Sequence, residues 1–131
     1  MSFSWAEFDV YVASLCAWRE ARGEGRDGIR GVLHVIANRG KAWNKSWAEI
    51  VYQRLQFSSM TAPGDPQLEL VPKTTDPIFQ ECCEIAMVIS AGGDFDLTQG
   101  ATHYYAISIP EPNWAKLMTF TVQIGRQRFY K

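Results

Sequence analysis

Residues 4–24 read Ser4-Trp5-Ala6-Glu7-Phe8-Asp9-Val10-Tyr11-Val12-Ala13-Ser14-Leu15-Cys16-Ala17-Trp18-Arg19-Glu20-Ala21-Arg22-Gly23-Glu24. Phe8, Tyr11, Val12, Leu15 and Cys16 recur at the spacing of one helical face. Ser4 and Glu7 stand three apart, the capping-box spacing that satisfies the free amides of a first turn. Gly23 marks the end of the pattern, so a helix is expected to run to about Arg22. With Phe8 at zero and about 100° per residue, Leu15 falls at roughly −20°, Val12 at roughly 40°, Cys16 at roughly 80° and Glu20 at roughly 120°. Glu20 therefore lies at the edge of the buried stripe, in the last turns of its helix. Partial burial disfavours its ionised form, and the negative end of the helix macrodipole acts the same way. A carboxyl group that keeps its proton near neutral pH is what a general acid acting on a glycosidic oxygen requires. An ordinary solvated glutamate near a helix end is the alternative that spacing leaves open.

Outward from this helix, Asp27-Gly28 is expected to open a second one, with Ile29, Val32, Leu33 and Ile36 as its apolar stripe and Asn38-Arg39-Gly40 as its end. Ser46-Trp47-Ala48-Glu49 repeats the first capping box, and Trp47, Ile50, Val51 and Leu55 make a short third helix. Residues 60–76, with Pro63, Gly64, Pro66 and Pro72, read as a polar loop, and a loop that long in a small domain is usually functional or mobile. Asp76-Pro77 is an N-cap followed by a proline at the first helical position. Ile78, Cys82, Ile85, Ala86 and Ile89 then carry a fourth helix to Gly92-Gly93. Beyond it, residues 101–105 read as a short strand. Thr119–Ile124 and Arg128–Tyr130, on either side of Gly125, read as a closing hairpin. Helices followed by a small antiparallel element give an α+β class, rich in helix, in a single domain over residues 1–131.

Composition limits what such a domain can do. At 131 residues with 47% apolar and 21% charged, the chain is long enough for a core and is not disordered. No run approaches the roughly 18 apolar residues of a spanning helix, so no membrane insertion is expected. The net charge of −1 argues against nucleic acid, whose binders usually carry a basic excess, but suits a neutral polymer. Aromatic residues make up 13%, more than the core of so small a chain should need, which hints at a ligand that stacks on rings. Cys16, Cys82 and Cys83, an odd count on apolar helical faces, read as reduced thiols rather than a disulfide framework. Residues 1–7 carry no basic and apolar signal pattern, so synthesis in the cytoplasm is expected. A monomer is the default expectation.

Other residues bear on chemistry more weakly. Glu24, four residues past Glu20, could be the second carboxylate of an acid/base pair. It could equally cap the next helix or pair with Arg22 or Arg26. Gln56-Phe57-Ser58 offers an amide, a ring and a hydroxyl at a helix exit. Its plainer reading is a polar helix end with one buried ring. His34 and His103 show no zinc spacing with the cysteines, and His34 falls on the polar face of its helix, so no metal and no cofactor are expected. No phosphate-cradling glycine motif and no nucleophile elbow are present.

Five motifs in order then carry a resemblance. They are Glu20-Ala21-Arg22-Gly23-Glu24, Gln56-Phe57-Ser58, residues 98–105 (Thr98-Gln99-Gly100-Ala101-Thr102-His103-Tyr104-Tyr105), Pro112-Asn113-Trp114 and residues 124–130 (Ile124-Gly125-Arg126-Gln127-Arg128-Phe129-Tyr130). Across about residues 8–130 the chain resembles the SleB-type cell wall hydrolases, which include spore-cortex-lytic enzymes and phage endolysins. The resemblance implies a lysozyme-like, two-lobed fold with a small antiparallel β element in the C-terminal half. It implies cleavage of the β-1,4 bond between N-acetylmuramic acid and N-acetylglucosamine in peptidoglycan glycan strands, typically by lytic transglycosylation. Glu20 matches the family's catalytic acid/base. Gln56, Phe57, Ser58, His103, Tyr104, Tyr105 and Trp114 would bind substrate, with Arg22, Glu24 and Thr98 in supporting positions. Two departures stand out: Arg19 precedes Glu20 where the family often has a small or apolar residue, and Gln127 stands where a histidine is common. A bare domain without an export signal looks more like a phage endolysin, which would reach the wall through a holin pore. Two other readings stay open, a hydrolytic muramidase using Glu20 with Glu24 or Asp96, and a non-catalytic wall-binding module.

Overall fold

The structure is a computed structural model that describes residues 4–53 and 56–131. Among the described residues, five α-helices and a three-stranded sheet follow in chain order: α1 Trp5–Ala21, α2 Gly25–Trp43, α3 Trp47–Val51, α4 Ser58–Thr61, α5 Pro77–Ser90, β1 His103–Ala106, β2 Phe120–Ile124 and β3 Gln127–Tyr130. Helix-rich α+β is thus the observed class, with the β element confined to the C-terminal half.

Local chemistry explains most boundaries. The Ser4 hydroxyl accepts the Glu7 N–H at the head of α1. Ser46 and Glu49 close both halves of the capping box at α3. The Asp76 carboxylate accepts the N–H groups of Ile78 and Phe79, each at 2.9 Å, behind Pro77 at the start of α5. Helix α2 departs from expectation at both ends. It begins at Gly25 rather than at Asp27-Gly28, and runs past Asn38-Arg39-Gly40 to Trp43, where Asn44 in the left-handed region stops it. Gly40 is kept inside because a Cβ there would sit 3.0 Å from the Lys45 carbonyl, so its absence lets the chain turn back tightly. The expected loop over 60–76 is also partly built: α4 and a 3₁₀ turn at Pro66–Glu69 lie within or beside it. Leu55, expected in the third helix, lies outside the described residues.

Helix α1 packs against α5, α2 and α3, and the main core forms there from Val12, Leu15, Cys16, Ile29, Val32, Leu33, Ile36, Ile50, Phe57, Cys82 and Ile85. Tyr11 and Ile78, expected on apolar stripes, are exposed, and Phe79 is the ring that α5 buries. The sheet is antiparallel in the order β1-β3-β2, with Tyr104 opposite Phe129 and Ile124 opposite Gln127 across a turn at Gly125. Phe129 joins Val35 and Ala101 in a second small cluster that seats the sheet on α2.

One row of α2 ties down the segment that leads into β1. Arg30 donates to the Asp94 carboxylate and the Phe95 carbonyl, and His34 bonds Asp94 at 2.6 Å. Asn38 donates to Asp96 and to the Ala101 carbonyl, and Arg39 donates to the Thr102 carbonyl at 2.6 Å. His34 is therefore buried rather than on a solvated face: its ring is part of this tether. Among the described residues no helix is long and apolar enough to cross a membrane.

Candidate active site

Between the helical part and the sheet lies a cavity of about 360 Å³ lined by Glu20, Arg39, Gln56, Phe57, Ser58, Tyr104, Tyr105, Ile109, Pro112 and Trp114. Residues from five separated stretches meet here, Arg39 of α2 among them. Helix α1 brings Glu20, the segment into α4 brings 56–58, β1 brings the two tyrosines, and the Pro112–Leu117 region brings Trp114. Six of the seven expected substrate-binding residues thus gather around Glu20.

The Glu20 carboxyl is pushed up from its ordinary 4.5 to about 7, by burial first and then by the nearby Asp65 charge. The Ser59 hydroxyl beside it pulls the other way. Tyr104 is raised well above its ordinary 10 by burial and by the Glu20 charge, so its hydroxyl remains a neutral donor. Tyr105 stacks on Tyr130 at 5.8 Å, and Trp114 meets Tyr105 and Tyr130 edge-on. Together they form an aromatic wall on one side of the cavity.

The other expected residues fall elsewhere. His103 does not line the cavity: it sits behind Trp114, 5.2 Å between centroids, and burial followed by the Arg39 charge holds it below its usual value. Thr98 is fully buried in a turn where it bonds Asp96, and Asp96 also accepts Gly100 N–H and Asn38. Glu24 occupies the N-cap position of α2 without capping it, and pairs with Arg126 at 2.8 Å. Arg22 and Arg26 turn instead to Gln67 and Glu81. Of the carboxylates considered as a partner for Glu20, neither Glu24 nor Asp96 lines the cavity.

Arg39, Ile109 and Pro112 were not expected. Arg39 looks in sequence like the end of a helix. Only the longer α2 turns it inward, where its guanidinium lies 5.1 Å from the Phe57 ring and 5.4 Å from that of Trp43. A roomier cavity of about 510 Å³ lies by His34, Asn38, Lys41, Asp94 and Asp96. Against the upward push of burial, hydrogen bonds from His34 and Arg30 hold Asp94, and from Thr98 and Asn38 hold Asp96, below the usual carboxylate range, and the cavity's third carboxylate, Asp9, accepts the Ala48 N–H.

Comparisons with known proteins agree with this architecture. The fold is similar to the catalytic domain of the germination-specific lytic transglycosylase SleB from Bacillus anthracis, at 20% identity and TM-score 0.74 over 99% of this chain and 98% of that one. It is equally similar to the catalytic domain of the Bacillus cereus SleB protein, at 21% identity and TM-score 0.75 over 99% and 93%. No curated protein matches the sequence. A model of the cell wall hydrolase family matches residues 23–130. The matched segment includes the 56–58 motif, the β1 tyrosines and the closing hairpin, and the expected SleB-type fold is present: the chain belongs to the cell wall hydrolase family.

Proposed function

We propose that this cell wall hydrolase is a lytic transglycosylase that cleaves the MurNAc-β-1,4-GlcNAc bond of peptidoglycan, with Glu20 as its single acid/base. The observation that carries the proposal is a carboxyl group with a pKa of about 7 opening onto a cavity walled by Tyr104, Tyr105 and Trp114. The protonated Glu20 donates to the glycosidic oxygen as the C1–O bond breaks, and the GlcNAc leaves with that proton. The Glu20 carboxylate then takes the proton of the muramoyl 6-hydroxyl as its oxygen bonds C1. This closes a 1,6-anhydro ring and restores the acid, with no water consumed. Gln56, Ser58 and Tyr104 supply hydrogen bonds to the sugars, and Tyr105 and Trp114 supply ring faces. Of the second carboxylates considered for a hydrolytic muramidase, Glu24 is ion-paired and Asp96 is held by hydrogen bonds away from the cavity, which favours the transglycosylase reading; Asp65 acts on Glu20 from outside the cavity lining.

Mass spectrometry of muropeptides released from purified peptidoglycan tests this: anhydro ends support it, reducing ends alone overturn it. Glu20→Gln is expected to release no fragments, and full activity in that variant removes Glu20 from its role. Wall binding without release by the native chain would make it a binding module. The proposal extends to a phage endolysin made in the cytoplasm and admitted to the wall by a holin. Host lysis that requires co-expressed holin is the expected outcome, and lysis without it is the contrary one.

A further inference from the structure

Arg19, the residue before Glu20, does not face the cavity. Its guanidinium reaches residues 40 to 51 positions along the chain. Nε and Nη2 donate to the Leu70 carbonyl at 3.1 and 2.9 Å, Nη1 to the Ser59 carbonyl at 3.1 Å, and Nη2 to the Leu68 carbonyl at 3.3 Å. Nη1 also contacts the Met60 sulfur at 3.2 Å. Arg22, one turn on, donates to the Gln67 side chain at 2.7 Å while its guanidinium stacks 4.4 Å from the Trp18 ring. One edge of α1 therefore grips both ends of the 59–70 strap, while the neighbouring edge holds Glu20. The strap carries Ser59 and Asp65, the two groups that act on the Glu20 carboxyl, and continues from the cavity-lining Ser58. Apart from these two arginine anchors, much of the strap is exposed, including Pro63, Gly64, Glu69 and Leu70.

We infer that Arg19 is a positioning residue for catalysis: its five-contact fork clamps the 59–70 strap against α1 and so sets the surroundings of the Glu20 carboxyl. The inference rests on the reading of Glu20 as the acid. Lysine cannot replace this fork, because an ammonium point charge does not span three separated carbonyls. The groups around Glu20 are Asp65 and Ser59 from the strap, Tyr104 from β1, Arg39 from α2, and Cys16 and Arg19 on its own helix. Two effects of removing Arg19 have opposite signs. Loss of its positive charge alone would favour the protonated acid. Release of the strap admits water and takes Asp65 away, and both favour the carboxylate.

The test is the pH dependence of kcat and KM on purified peptidoglycan for Arg19→Met, Arg19→Lys, Asp65→Asn and the Arg19→Met/Asp65→Asn double variant, with Glu20→Gln alongside. Arg19→Met is expected to lower kcat about 10-fold or more with little change in KM, and to move the alkaline limb down by about one pH unit. Arg19→Lys, a milder change should the methionine variant fold poorly, moves the limb the same way by less. Asp65→Asn also moves it down, and adds nothing in the Arg19→Met background. A native kcat and limb in Arg19→Met, an upward shift, or additive effects of the two substitutions would overturn the inference. Activity in Glu20→Gln would overturn the proposed acid itself, whereas an inactive Glu20→Gln beside a native Arg19→Met profile would remove only the strap's role.

Discussion

At the level of single residues, the burial that suits Glu20 to its proposed role as an acid also works against stability. Its pKa is about 7 in the fold against an ordinary 4.5. The folded state thus holds the proton through a window where the unfolded chain has lost it. Its favourable contribution is complete below about pH 4.5 and lost as pH rises through about 7, at a cost on the order of 3 kcal/mol. Glu20→Gln, of the same shape and uncharged, should therefore be inactive yet more stable than the native chain at about pH 8, with the difference vanishing near pH 4. Urea unfolding of both proteins at the two pH values checks this. The pH–rate profile of the native enzyme should fall through a limb near pH 7, where the acid loses its proton. The helical-wheel position of Glu20 foretold a partly buried carboxyl. The Asp65 charge that adds to burial lies 45 residues away and reaches Glu20 only through the strap.

Among elements, α2 is the frame. One side of it, with Arg30, His34, Asn38 and Arg39, holds the segment entering β1. On another side, Gly31 receives the Phe129 ring of β3: a Cβ there would lie 2.6 Å from Cζ of that ring. Phe129 is fully buried and cannot withdraw, so Gly31→Ala should destabilise the fold by about 1–3 kcal/mol despite alanine's higher helix propensity. Thermal unfolding measures it. At α5, Asp76→Ala leaves the Ile78 and Phe79 N–H groups without their acceptor and should cost about 1 kcal/mol. Helix starts with Ser, Asp or Pro signals were legible because capping is local. The ends of α2 were not. Glycines at 25, 28, 31 and 40 and Asn38 weaken its helical signal, and only packing against α1, α5 and the sheet carries the helix through them.

For the molecule as a whole, the cleft exists because two parts are held at a fixed separation. Phe129, Val35 and Ala101 form the apolar seat of the sheet on α2, with Arg39–Thr102 and Asn38–Ala101 as polar ties. Phe129→Ala should cost about 3–5 kcal/mol and loosen β1, which carries Tyr104 and Tyr105. Loss of wall cleavage at temperatures where circular dichroism still reports helix would show that the sheet detaches from a surviving helical core. Cleavage unchanged up to the global transition would refute it.

The sequence by itself determined the helical N-terminal half, the capped starts, the closing hairpin, the place of Glu20 at the edge of a buried stripe and the motifs that later meet around it. These follow from periodicity and capping, which act within a few residues. Only the tertiary structure decided which motifs share the cavity: His103, Thr98, Glu24 and Arg22 are left outside it, and Arg39 is brought in. It also decided that Asp65, rather than Glu24 or Asp96, is the carboxylate that acts on Glu20. Those outcomes depend on contacts between segments tens of residues apart, among them the two arginine anchors on α1, the tethering row on α2 and the Glu24–Arg126 pair. No local spacing encodes such contacts.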